Sequence, residues 1–218
     1  MNKVGVIFDL DGVIVDTAKY HFIAWKHIAN KLGFDFTEAH NEQLKGVSRV
    51  RSLDLILDLS GQTIETEEKE RLLIEKNEHY LSLISDMGQS EILPGILELL
   101  KYLKEQNIPF SLGSASKNAR LILKTLNLLD LFDAIVDGND VTNAKPDPEV
   151  FLRAAEKLNL KAEQCIVVED AVAGVDAANN AGMISIGIGE EAHLHKANHV
   201  LPSTKELSVQ FFESLIQN

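Results

Sequence analysis

The chain has 218 residues, 45% of them hydrophobic, enough for one large domain or two small ones with a core that needs no disulfide. Its formal net charge of -12 argues against nucleic acid or an anionic membrane as the main partner. Its one cysteine cannot bridge internally, no apolar run approaches the ~20 residues that span a bilayer, and the N-terminus shows no signal-peptide pattern; a soluble cytoplasmic protein is the expectation.

The first predicted element is a strand through Val4, Val6, Ile7 and Phe8, whose unbroken apolar character suits a buried parallel sheet. It ends in Asp9-Leu10-Asp11-Gly12. Two carboxylates two residues apart point the same way off an extended backbone, and Gly12 lets the chain turn sharply. A solvated strand end with an Asp-Gly turn is the local alternative. A helix follows from about Thr17 to Lys31, with Phe22, Trp25, Ile28, Ala29 and Leu32 on one face and Gly33 closing it. The next sixty residues show no convincing strand. Arg49 to Leu59 and Glu67 to about Ser85 read as helices joined by a turn at Ser60-Gly61-Gln62-Thr63, which makes an all-helical insert.

From Leu93-Pro94-Gly95 onward strands and helices alternate. Helices are predicted over Ile96–Lys104, Ala119–Leu126, Pro148–Lys157 and Ala171–Ala181. Strands are predicted over Pro109–Gly113, Ala134–Val136, Cys165–Val168 and Ile184–Ile188. This alternation implies a doubly wound α/β parallel sheet, Rossmann-like, carrying the helical insert. The expected division is a core of 1–16 with 89–218 and a helical cap of 17–88. Polar groups recur where strands end, at Asp9, Ser114 and Glu169-Asp170, and ligands bind at that edge of open parallel sheets. The tail after Glu190 is less legible. His193, His195 and His199 lack a completing carboxylate or cysteine and read as surface histidines. Cys165 opens an apolar strand and reads as a small core residue.

Asp9, Asp11, Glu169 and Asp170 repel one another unless a cation lies between them, and oxygen donors select a hard ion such as Mg2+. Mg2+ commonly shares itself with a substrate phosphate. Lys145, in a proline-stiffened loop, is placed to contact both a carboxylate and a phosphate oxygen, and Ser114 is a hydroxyl donor at a strand end. Taken singly, Lys145 is an ordinary surface lysine and Ser114 an ordinary helix cap.

Taken together, Asp9-Leu10-Asp11-Gly12-Val13, Ser114, Lys145-Pro146 and Glu169-Asp170 resemble the four motifs of the haloacid dehalogenase superfamily, in order and across nearly the whole chain. The resemblance implies that Asp9 is a nucleophile forming an aspartyl-phosphate and Asp11 a general acid and base. It implies one Mg2+ per chain held by Asp9, the Asp11 carbonyl and Asp170, with Glu169 assisting. A second aspartate favours phosphoryl transfer over dehalogenation, because it protonates an alkoxide leaving group.

Further stretches resemble the β-phosphoglucomutase family within that superfamily. They are Tyr20 to Trp25, Asn41 to Arg49, Glu75-Lys76-Asn77 and Ser114 to Asn118. That likeness implies interconversion of β-glucose 1-phosphate and glucose 6-phosphate, primed by a β-glucose 1,6-bisphosphate. It implies that His21 steadies Asp11, and that Lys45, Gly46 and Arg49 belong to a specificity loop. Lys76 and Asn77 then border the sugar, Arg49, Ser116, Lys117 and Asn118 take a second, distal phosphate, and Trp25, Ser52 and Ala115 also bind substrate. The expected partners are small sugar phosphates, with no nucleic acid and no membrane, and the expected state is a monomer. A sugar-phosphate phosphatase on the same scaffold is the alternative, and a non-enzymatic phosphosugar-binding protein a third reading. Asp147 and Glu149 add negative charge near the Lys145 loop and are expected to face away.

Overall fold

The computed structural model describes residues 4–217. Six parallel strands form one sheet: β1 (Gly5–Phe8), β2 (Phe110–Gly113), β3 (Ala134–Val136), β4 (Cys165–Glu169), β5 (Ile184–Ile188) and β6 (His199–Leu201), in the order β3-β2-β1-β4-β5-β6. The apolar runs are explained by burial on both faces. Val6 and Phe8 enter one core with Leu99, Leu103 and Ile122, while Ile7 between them enters the other with Phe151, Ala154 and Ala177. The strand order reverses between β1 and β4, so the polar ends of these two strands face one crevice.

Between β1 and α5 (Ile96–Glu105) the chain builds α1 (Ala18–Lys31), α2 (Glu38–Glu42), α3 (Arg49–Ser60) and α4 (Thr66–Ile84). These helices share a cluster of their own around Trp25, Ile28, Phe36, Leu53, Ile56 and Leu72. The two chain crossings are stitched together: Val15 pairs antiparallel with Ile92, and the Leu93 N–H donates to the Ile14 carbonyl at 3.0 Å. Beyond β2 come α6 (Ala119–Thr125), α7 (Glu149–Lys157) and α8 (Val172–Asn180), flanking the sheet.

Some elements differ from the sequence expectation. α2 lies in a stretch with no predicted element; Thr37 and His40 cap it reciprocally, and five residues are too few to display a helical period. The tail holds α9 (Glu191–Leu194), the three-residue edge strand β6 and α10 (Val209–Gln217). β6 owes its existence to pairing with β5, which no local pattern encodes. Pro148 caps α7 from outside instead of opening its first turn. Glu149 accepts the N–H groups of Thr142 and Asn143 at 3.0 and 2.7 Å, and Asp147 accepts that of Glu149 at 2.9 Å, so both acids are engaged with backbone. Cys165 is buried, and burial pushes its thiol up to about 11, as suits a core residue. No helix among the described residues is long and apolar enough to cross a membrane.

Candidate active site

At the carboxyl ends of β1 and β4 a buried lysine joins two acids. Lys145 Nζ donates to Asp9 Oδ1 and to Glu169 Oε1, each at 2.6 Å. The ammonium also lies 4.7 Å from the Phe151 ring centre. Burial works against this charge, but Asp9 and Glu169 together outweigh it and hold the lysine protonated. The second Glu169 oxygen accepts the Ala171 N–H at 2.8 Å. With both oxygens engaged, Glu169 fixes Lys145 and the turn that carries Asp170. Burial still raises the Glu169 carboxyl, to about 7. Gly174 makes this fit possible, since a Cβ there would lie 1.9 Å from the Glu169 carboxyl carbon.

Asp170 and Asp9 open towards a cleft of about 560 Å³. A Cβ on Gly12 would stand 2.1 Å from Asp170 Oδ2, so the Asp170 carboxylate rests on the Asp11-Gly12 backbone. Burial, then the charges of Glu169 and Asp9, raise Asp170 well above the carboxylate range. The carboxylate oxygens of Asp9 and Asp170 are hard donors that fit Mg2+, in a place where negative charge accumulates. Among the described residues no group of three or more His, Cys, Asp or Glu side chains gathers to hold a metal. His193, His195 and His199 are exposed and form no such group.

Asp11 stands at the mouth of the cleft. Thr17 Oγ1 donates to its Oδ1. Burial first, then the nearby Asp9 charge, raise Asp11 to about 6, with Thr17, Lys76 and Lys145 opposing. His21 Nε2 lies 3.8 Å from Asp11 Oδ1. Burial, Lys76 and Arg49 lower this histidine well below its ordinary value, so the imidazole is neutral at pH 7. Lys76 Nζ sits 2.9 Å from His21 Nδ1. With Lys76 donating, Nδ1 accepts and the ring proton lies on Nε2, facing Asp11. Lys76 is only 2% exposed and lies over the rings of Trp25 and Tyr80, at 4.9 and 4.6 Å. Burial and Arg49 lower it to about 7. Tyr80 stacks on His21 at 4.3 Å and completes the packing.

The α2–α3 loop closes the cleft from above. Ser48 caps α3, and the Ser52 hydroxyl donates to the Ser48 carbonyl at 3.1 Å. A Cβ on Gly46, whose φ is +71°, would meet Ala171 at 2.7 Å, so this turn is seated directly on the Asp170 segment. Lys45 pairs with Glu42 at 2.8 Å and approaches Asp170 to 3.8 Å. The loop after β2 forms the opposite wall. Ser114 Oγ accepts the Ser116 N–H at 3.1 Å and Ser116 Oγ the Asn118 N–H at 3.3 Å. The Asn118 side-chain amide donates to Asn77 Oδ1 on α4 at 3.0 Å, joining this loop to the helical insert.

Asp9, Asp11, His21, Trp25, Lys45, Gly46, Arg49, Ser52, Lys76, Ala115, Ser116, Lys117, Asn118 and Asp170 thus line one cleft, while Ser114, Lys145, Glu169 and Asn77 support its walls. Arg49, Lys76 and Lys117 have no carboxylate partner among the described residues, and the amides of Ala115 and Lys117 meet no protein acceptor there. Arg49, Lys117 and two open amides around one cavity, in a chain of net charge -12, make a receptor for an anion, with Lys76 beside them. Thr17, Tyr80 and Gly174 escaped the sequence reading. Thr17 follows the first motif closely enough to invite attention, whereas nothing local marks Tyr80 or Gly174.

The model of the haloacid dehalogenase-like hydrolase family matches residues 6–188. The chain is 44% identical over 207 residues to the β-phosphoglucomutase of Bacillus subtilis, covering 94% of this chain and 92% of that one. Its structure resembles the crystal structure of the β-phosphoglucomutase from Clostridium difficile with a TM-score of 0.93 and 46% identity, covering 98% and 96% of the two chains. It is also 33% identical to a phosphorylated carbohydrates phosphatase of Thermotoga maritima, over 82% of this chain and 81% of the relative. The chain belongs to the haloacid dehalogenase-like hydrolase family and, within it, groups with the β-phosphoglucomutases.

Proposed function

We propose that the protein is a cytoplasmic, monomeric β-phosphoglucomutase that interconverts β-D-glucose 1-phosphate and glucose 6-phosphate, with residues 17–88 as its cap. The observation that carries this reading is the pairing of a nucleophile site with a second anion receptor. Asp9 and Asp11 supply the chemistry, and Arg49 and Lys117 in the same cleft have no acid partner among the described residues. A phosphatase has no need of the second receptor.

Asp9 Oδ1 is engaged by Lys145, which leaves Oδ2 to attack phosphorus. In the resting cycle Asp9 carries the phosphoryl group, supplied by β-glucose 1,6-bisphosphate. The C6 hydroxyl of glucose 1-phosphate attacks that phosphorus, gives its proton to the Asp11 carboxylate, and the Asp9–phosphorus bond breaks. The 1,6-bisphosphate turns end for end, its idle phosphate resting on Arg49, Ser116, Lys117 and Asn118. Asp9 then attacks the C1 phosphate, the bond from phosphorus to O1 breaks, and Asp11 returns the proton to O1. Glucose 6-phosphate leaves and the aspartyl-phosphate is restored. An Asp11 carboxyl near 6 has both protonation states within reach at neutral pH, as alternating acid and base require. Lys145 and the cleft cations offset the repulsion between carboxylate and phosphate. Asp9, Asp170 and the Asp11 carbonyl would hold one Mg2+, which when bound neutralises phosphate charge.

The test supplies purified protein with Mg2+, β-glucose 1-phosphate and a trace of the bisphosphate, and follows glucose 6-phosphate and free phosphate in parallel. Rapid glucose 6-phosphate with little free phosphate is expected. Free phosphate as the main product overturns the mutase reading in favour of a sugar-phosphate phosphatase.

A further inference from the structure

The loop that leaves β3 is bound to the loop that leaves β2 by more than sheet pairing. The Gly138 N–H donates to the Ser116 carbonyl at 3.3 Å, and the Asn139 side-chain amide donates to the Lys117 carbonyl at 3.0 Å. The approach is so close that a Cβ on Gly138 would lie 2.4 Å from the Ala115 carbonyl oxygen and 3.0 Å from Lys117 Cγ. The β3 loop is itself braced. Asp137 is fully buried, its Oδ1 accepts the Asn139 N–H at 2.8 Å, and Asp140 Oδ2 accepts the Asp137 N–H at 2.9 Å.

Arg120 closes the arrangement. It stands in the first turn of α6, two residues beyond Asn118, and its guanidinium pairs with Asp137 and Asp140, the latter at 2.7 Å. A third contact donates to the Ile135 carbonyl at 3.1 Å. Three acceptors on one planar fork allow little rotation, which a lysine cannot reproduce. The phosphate-facing backbone of residues 115–118 is therefore held from behind at Ser116 and Lys117 and from its C-terminal end at Arg120. Arg120, Asp137 and Asn139 do not themselves line the cleft that holds Asp9 and Asp11.

We propose that Arg120, Asp137 and Asn139 are positioning residues that fix the Ala115–Asn118 loop for the distal phosphate, and so favour substrates bearing a second phosphate. This rests on the assignment of Lys117 and Asn118 to that phosphate. A loop with this clasp loosened still presents Asp9, Asp11 and Lys145 unchanged. A substrate whose one phosphate is the reacting one, such as an aryl phosphate, therefore loses little, while a bisphosphate loses the ordered receptor for its idle end.

The experiment compares Asn139→Ala, Arg120→Met and Arg120→Lys with the parent protein. It measures kcat and KM for β-glucose 1,6-bisphosphate, hydrolysis of p-nitrophenyl phosphate, and Tm. Arg120→Met is expected to raise the bisphosphate KM about tenfold, a loss typical of hydrogen bonds to charged groups. Its kcat and its aryl phosphate hydrolysis should stay within about twofold. Asn139→Ala, at an exposed position, should shift the same parameter less, and Arg120→Lys should recover part of the loss. Equal losses on both substrates, or an unchanged bisphosphate KM in both Arg120→Met and Asn139→Ala, overturn the proposal. Lys117→Ala separates the two readings. If it too spares the bisphosphate, the distal site itself is wrong; if it alone is selective, only the clasp is wrong.

Discussion

Replacing Lys145 by methionine tests the electrostatics of the site most directly. Lys145 is 4% exposed and holds Asp9 and Glu169 at 2.6 Å each, with both acids buried. Methionine keeps the volume and removes the charge. Breaking a buried ion pair from one side costs about 3–5 kcal/mol, because the remaining charge stays in a medium that solvates it poorly. For a chain of this length that corresponds to a fall in Tm of about 10 °C. The pH dependence gives the sharper reading. In the parent protein Lys145 is raised above its ordinary value, so its contribution is complete below that value and is lost only in alkali. In the variant the strain moves to the acids. Burial already raises Glu169 to about 7 with Lys145 opposing it, and without Lys145 the carboxyl rises further. A carboxyl raised in the folded state favours folding while protonated and opposes it as pH climbs above its unfolded value. The variant should therefore lose more stability at pH 8 than at pH 5. Urea denaturation followed by circular dichroism, in a chelating buffer at both pH values, measures this. A loss under about 1 kcal/mol at pH 8, or one equal at the two pH values, would refute the idea that Lys145 neutralises two buried carboxylates.

Three further outcomes follow from the geometry. Asp11→Asn should lower kcat by about 10²–10⁴ while the circular dichroism spectrum is retained, since the proton carrier near 6 is removed and the fold is not; near-normal turnover would refute the acid–base role. Thr17→Val removes the hydroxyl that holds Asp11 down, so the limb of the kcat/KM profile due to Asp11 should move to higher pH, and an unmoved profile would separate Thr17 from the proton transfer. Gly174→Ala should destabilise by about 1–3 kcal/mol, although alanine ordinarily favours a helix, because its Cβ would displace the Glu169 carboxylate; a stabilised variant, read by Tm, would show that Glu169 can move without consequence.

The sequence alone determined the elements whose information is local. The apolar runs through Val6–Phe8 and Cys165–Val168 declare buried parallel strands, the periodic face of Phe22, Trp25 and Ile28 declares a helix, and the acids, hydroxyl and lysine recur at strand ends. Resemblance then joined those positions into one site, and the chain's own cleft contains most of them. Tertiary structure decided the rest. β6 exists only because β5 offers it an edge, and α2 is too short for its period to show. Lys145 meets Asp9 across 136 positions, and Lys76 meets His21 across 55. Glu169 turned out to serve Lys145 and the Ala171 amide, and Gly174 is required only because that carboxylate lies against it. Which lysines are paired and which remain open to a substrate is likewise a property of the closed fold. A side chain's charge is written in its own residue, whereas its partner, its burial and hence its protonation depend on segments that only folding brings beside it.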